Sequence, residues 1–161
     1  MCIRDRGYTV SLGLPALRTK ISKLYGDWYN LDLNPNRIVV TTGSSGAFIL
    51  SFSALFDSGD RVGIGSPSYP SYRQILKSLS LETVDIQTKL QNRFQPVPED
   101  ITNNNLNGIL VASPANPTGS MLDKQSLENL INTANENNVS FISDEIYHGI
   151  QYENNPTSAL E

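Results

Sequence analysis

Thr42-Gly43-Ser44-Ser45-Gly46 sets two glycines and two serine hydroxyls between a β-branched run and an apolar helical run. Free backbone N–H groups at a helix start, with hydroxyls beside them, can cradle an anion. A dianionic phosphate there would gain further from the helix dipole. The same pattern also serves as a tight turn with a serine cap. No lysine follows the glycines, so this is not a Walker loop, and Gly63-Ile64-Gly65 lacks the third glycine of a dinucleotide fingerprint.

Four further residues stand in loops where polar chemistry is available. Tyr69 lies in Ser66-Pro67-Ser68-Tyr69-Pro70, and its ring could stack on a planar heterocycle or simply be a surface aromatic. Asn116 precedes Pro117, which holds it extended. It could donate to a ligand oxygen or cap its own turn. Asp144 ends the apolar run Phe141-Ile142, where a carboxylate loses water and needs a cation or donor to offset the loss. A pyridinium N–H would serve, and so would a cap. Tyr147 follows three residues later, within one turn of the same place. Glu145 reads as solvated or salt-bridged, and His148 as a packing residue.

These residues need elements to hold them. Leu14, Leu17, Ile21, Leu24 and Trp28 recur at helical spacing, with Pro15 suited to a first turn, so a helix is expected over 15–29. Ile38-Val39-Val40 reads as a short strand. The run from Ala47 to Phe56 is apolar nearly all round and reads as a buried helix. Strands are expected at 61–65, 82–86, 109–112 and 141–143. Helices are expected at 72–79 and 123–137, the latter capped by Asp123. The polar stretch 91–107 reads as loop with at most a short helix. Alternating strands and helices imply a three-layer α/β/α fold with a mostly parallel sheet. Ligands in such sheets sit beyond the carboxyl ends of the strands, where the serine–glycine, Tyr69, Asn116 and Asp144 stretches all fall.

Composition narrows the functions. The chain has 161 residues and a net charge of −4, with 39% hydrophobic and 17% charged residues. That suits one domain with a real core. No basic stripe speaks for nucleic acid, and no apolar run approaches the roughly 18–20 residues that span a bilayer. One cysteine, Cys2, excludes an internal disulfide and a cysteine-based zinc site, and fits a cytoplasmic setting. One histidine excludes histidine-cluster metal sites, and no metal is expected. It also excludes a Ser-His-Asp triad unless His148 is the base. Residues 1–6, MCIRDR, match nothing that follows; they read equally as a candidate non-native leader or as a frayed native terminus, and are set aside.

Together the stretches YTVSLGLPALR, VVTTGSSGAF, SPSYPSYR, ASPANPTG and ISDEIYHGIQY resemble the fold-type I pyridoxal-phosphate enzymes, specifically the class I/II aminotransferases, from about Gly7 to Glu161. ANPTG followed 25–30 residues on by SDEIY is the most specific part. The resemblance implies a PLP-dependent transferase-like large domain and pyridoxal 5'-phosphate as cofactor. It implies that Gly43, Ser44 and Ser45 hold the phosphate and that Tyr69 stacks on the pyridine ring. Asn116 and Tyr147 would donate to the phenolic oxygen, and Asp144 would partner the ring nitrogen. Tyr8 would reach the cofactor phosphate of a neighbouring subunit, implying a homodimer. Gly13, Pro15, Leu17 and Arg18 would be structural. The implied substrates are an amino acid and a 2-oxo acid.

The family also uses a lysine that forms a Schiff base with the cofactor, in a Ser-x-x-Lys segment. By the family's pattern it falls about a dozen residues past Glu161, with the carboxylate-binding arginines further on. Residues 7–161 are therefore expected to be part of a large cofactor-binding domain, inactive alone, with its C-terminal part and the small domain missing. Two other readings share these residues: a lyase of the same fold, such as a carbon–sulfur lyase, and a non-catalytic pyridoxal-phosphate-binding regulatory domain.

Overall fold

The structure, a computed structural model, describes residues 8–152 and 155–161. The leader assigned to residues 1–6, and Cys2 with it, lies outside the described residues. The chain forms two compact units. One holds the described residues up to Gly43 with Leu160 and Glu161, and the other holds Ser44–Ala159.

The first unit is built on helix α1, Pro15–Tyr29, opened by its proline and closed at Asn30 in the left-handed conformation. Its buried residue is Arg18, whose guanidinium donates to Gly13 O at 3.3 Å and Pro35 O at 2.9 Å. Leu14, Leu17, Leu24 and Trp28 recur at helical spacing as expected and are exposed. The expected strand at Ile38–Val40 does not form. Val40 N donates once, to Leu12 O at 3.0 Å, and no ladder follows. A β-branched run without a partner strand cannot become one.

The second unit is a four-stranded parallel sheet with helices on both faces. Helix α2, Gly43–Leu55, leads to β1, Arg61–Ser66. Then come α3, Pro70–Ser78, and β2, Glu82–Gln87. The polar stretch expected to be loop with at most a short helix contains one, α4, Pro98–Thr102, before β3, Gly108–Ala112. The last elements are α5, Lys124–Glu136, and β4, Ser140–Asp144. The strand order is β2-β1-β3-β4, all parallel. Successive side chains of β3 point to opposite faces. Ile109 and Val111 join Leu127 and Leu130 of α5 on one face, while Leu110 joins Phe52 of α2 and Leu76 of α3 on the other. This is the expected three-layer arrangement.

Helix α2 is buried on one side only. Phe48 and Phe52 enter the core, while Ile49, Leu50 and Leu55 are exposed. One stripe meets α3 and the sheet, and the other is about half exposed. Among the described residues, no helix is long and apolar enough to cross a membrane.

Candidate functional site

The site is set by the carboxyl ends of β3 and β4. These strands pair in parallel with Ala112 opposite Asp144, and Ser113 N donates to Asp144 O at 3.1 Å. The loops that follow both ends therefore start side by side.

After β3 the chain loops through Ser113–Gly119 and returns. Ala115 N donates to Ser120 O at 2.9 Å, and Gly119 N to Ala115 O at 2.7 Å. Buried Gln95 holds the base of this loop. Its Nε2 donates to Ala112 O at 3.1 Å and Ser120 O at 3.0 Å. Ser113 Oγ accepts from Leu122 N at 2.9 Å. Asn116 sits half-buried at the loop's crest. Its Nδ2 donates to the Tyr147 hydroxyl at 3.2 Å.

After β4 the chain turns at once. Buried Asp144 accepts from Ile146 N at 3.1 Å through Oδ1, an Asx turn. Its Oδ2 accepts from the hydroxyl of Tyr72 on α3. Burial first, and the Asp144 contact second, push the Tyr72 hydroxyl well above the ordinary tyrosine range. Tyr72 is thus a donor at any working pH. Its role was not legible in the sequence, where it reads only as a helical residue 72 positions from Asp144.

Of the two expectations for Glu145, solvated or salt-bridged, the structure favours the second: its Oε2 lies 3.8 Å from His148 Nδ1, an ion pair when that ring is protonated. Glu145 is half-buried and accepts from Ser143 Oγ at 3.0 Å, Ser158 Oγ at 3.0 Å and Ala159 N at 2.7 Å. His148 shares a hydrogen bond through Nε2 with Ser113 O at 2.9 Å, as fits a packing residue. Both tie the segment after β4 to its surroundings.

Tyr69 directly precedes α3, as its N-cap residue, and is 38% exposed. Its ring meets Tyr72 edge-on, with centroids 5.6 Å apart at 80°. Ser44 and Ser45 lie in the first turn of α2. The serine–glycine run is therefore helix, not a loop before one. Gly43 enters with φ 75°, which turns the chain directly into the helix, and Thr41 Oγ1 donates to Gly43 O at 2.8 Å. The Ser44 and Ser45 hydroxyls make no hydrogen bond among the described residues, to the other site residues or elsewhere. Gly43 and Tyr8 belong to the first unit, and Tyr8 is fully exposed.

A cavity of about 580 Å³ opens beside the Asn116–Tyr147 pair, lined also by Arg93, Pro117, Met121 and Tyr152. Asp144 and Tyr69 lie outside its lining. No group of three or more His, Cys, Asp or Glu side chains that could hold a metal occurs among the described residues.

Polar groups gathered past the carboxyl ends of parallel strands, on an α/β/α sheet, are the hallmark of proteins that seat a small cofactor there. Residues 4–160 match the family model for aminotransferase class I and II, and the chain belongs to that family. It is 43% identical over 159 residues to the valine–pyruvate aminotransferase of Mycobacterium tuberculosis, covering 98% of this chain and 41% of that protein. It is 36% identical over 154 residues to the (5-formylfuran-3-yl)methyl phosphate transaminase of Methanocaldococcus jannaschii, covering 96% of this chain and 39% of that one. A crystal structure from Silicibacter pomeroyi assigned to the aminotransferases superposes with a TM-score of 0.90 at 60% identity, covering 91% of this chain and 40% of that one. The chain thus spans about two-fifths of the length of these relatives. The cofactor that the family implies is pyridoxal 5'-phosphate.

Proposed function

We propose that the whole protein transfers an amino group from an amino acid to a 2-oxo acid, using pyridoxal 5'-phosphate. The observation that carries this is the convergence of Asn116, Tyr147 and Asp144 where β3 and β4 end together. Their chemistry fits the cofactor. Asp144 is buried, and among the described residues its carboxylate accepts from two neutral donors, the Tyr72 hydroxyl and Ile146 N–H. A buried carboxylate calls for a positive partner, and a protonated pyridine nitrogen is one. The Asn116 amide donates to the Tyr147 oxygen, which leaves the Tyr147 proton free for a ligand oxygen. The Ser44 and Ser45 hydroxyls, at the start of a 13-residue helix, suit a phosphate.

When bound, the cofactor supplies an electron sink for the carbanion formed at the substrate α-carbon. In this reading Asp144 keeps the ring nitrogen protonated, and Tyr69 stacks on the ring. Asn116 and Tyr147 donate to the phenolic oxygen, while Gly43, Ser44 and Ser45 take the phosphate. Tyr8 is assigned to the phosphate of a partner subunit in a homodimer. A cytoplasmic setting completes the reading, supported by a single cysteine in 161 residues. Residues 7–161 are read as part of a larger cofactor-binding domain.

The named relatives favour transfer over the same-fold lyase or a non-catalytic regulatory domain. The M. tuberculosis relative points to an apolar donor with pyruvate as a first pair to test. The full-length protein, loaded with pyridoxal phosphate, is mixed with an amino acid alone. Amino transfer releases about one 2-oxo acid per bound cofactor, then stops until a 2-oxo acid is added. Continuous product release without an acceptor would indicate a lyase, and no release from any amino acid would indicate a regulatory domain.

A further inference from the structure

Tyr72 is joined to two of the residues given a role above. It is 2% exposed on the first turn of α3. Its hydroxyl donates to Asp144 Oδ2, and its ring is edge-on to Tyr69. A third contact runs to Phe48 of α2, whose ring centroid lies 5.1 Å away at 83°. We propose that Tyr72 is a positioning residue that sets the carboxylate of Asp144 and the ring of Tyr69 together, through the hydroxyl and the ring of one rigid side chain. The inference rests on the reading of Asp144 and Tyr69 as cofactor contacts.

The physical case has two parts. A buried carboxylate can rotate unless both oxygens are held. Ile146 N–H holds Oδ1, and the Tyr72 hydroxyl holds Oδ2. Each oxygen keeps a further lone pair for another donor. Hydrogen bonds to charged acceptors are also the strong ones, so this hydroxyl draws off part of the charge that Asp144 presents to a ligand. Meanwhile Tyr69 is open on its exposed side and has Tyr72 against it on the other. Edge-to-face aromatic pairs prefer a defined geometry, so the Tyr72 ring limits the tilt of Tyr69. Phe48 backs Tyr72 from the α2 side and keeps it from turning.

The two contacts separate by substitution. In the full-length protein, Tyr72→Phe removes the hydroxyl and keeps the ring. It should retain the thermal midpoint within a few degrees. The pH midpoint of the bound cofactor's absorbance band should rise by roughly half a unit or more, because Asp144 then presents more negative charge to the conjugated ring. Cofactor binding should weaken by roughly three- to tenfold. Tyr72→Leu removes the ring as well, and should further reduce the visible circular dichroism of the bound cofactor, which reports how the ring is held. A folded Tyr72→Phe protein with an unchanged absorbance midpoint and unchanged cofactor affinity would overturn the inference while the wild type still bound cofactor. A wild type that bound no pyridoxal phosphate would overturn the proposed function, and this inference with it.

Discussion

Asn116 Nδ2 donates to the Tyr147 hydroxyl at 3.2 Å, across 31 residues of sequence. The bond joins the loop after β3 to the turn after β4, so the two side chains are expected to act as a unit. Asn116→Ala and Tyr147→Phe should each weaken pyridoxal phosphate binding in the full-length protein. The double variant should fall short of the summed effects by about 0.5 kcal/mol or more. Dissociation constants for the four proteins check this, and additive effects would show two independent contacts.

Gln95 should matter more than its place in a polar loop suggests. Its amide meets the carbonyls of Ala112 and Ser120, at the two ends of the loop that presents Asn116. Gln95→Leu leaves both carbonyls without this donor and should cost about 1–3 kcal/mol. Urea unfolding of the full-length protein reads the cost. Cofactor affinity should fall with it, because Asn116 loses its base.

Several elements could be read directly from residue spacing. Helix α1 spans the expected residues, and β1, β3, β4 and α5 lie within a residue or two of expectation. Periodicity and turn residues carry such elements locally. The Ile38–Val40 run has the composition of a strand, but strand formation depends on a partner that composition does not reveal. Gln95 and Tyr72 are further cases. Gln95 sits in a stretch without periodicity, and its partners lie 17 and 25 residues away. Tyr72 meets Asp144 only because α3 packs over the sheet. Asp144 stood out in the sequence because it ends a strand, and Asn116 because it lies in the loop just past one, where the loops of a parallel sheet converge.

Gly108 at the start of β3 leaves no room for a side chain. A Cβ there would lie 2.2 Å from Phe56 Cζ. Gly108→Ala should therefore destabilise by about 1–3 kcal/mol through overpacking. Adding Phe56→Leu should recover much of the loss. Chemical denaturation of the single and double variants checks this.

Asp123 caps α5, accepting from Ser126 N at 2.8 Å, and that N–H holds its carboxyl below the usual range. Because the folded value is depressed, the capping contribution is present above about pH 4, the unfolded value. It fades as pH falls through the folded value. Asp123→Ala should cost about 1 kcal/mol at neutral pH, and less in acid. Asp123→Asn keeps a capping oxygen and should flatten the acid limb. Urea midpoints at neutral and acid pH test the sign.

In the proposed function Asp144 is the charged partner of the cofactor ring. The most direct measurement compares turnover of the full-length protein carrying Asp144→Ala with that carrying Tyr69→Phe, both saturated with pyridoxal phosphate. Asp144→Ala removes an ionised partner and should cost roughly 100-fold or more, while Tyr69→Phe keeps the stacking ring and should cost less than about tenfold. Comparable losses in two folded proteins would contradict that role and leave Asp144 as a turn-forming residue at the end of β4.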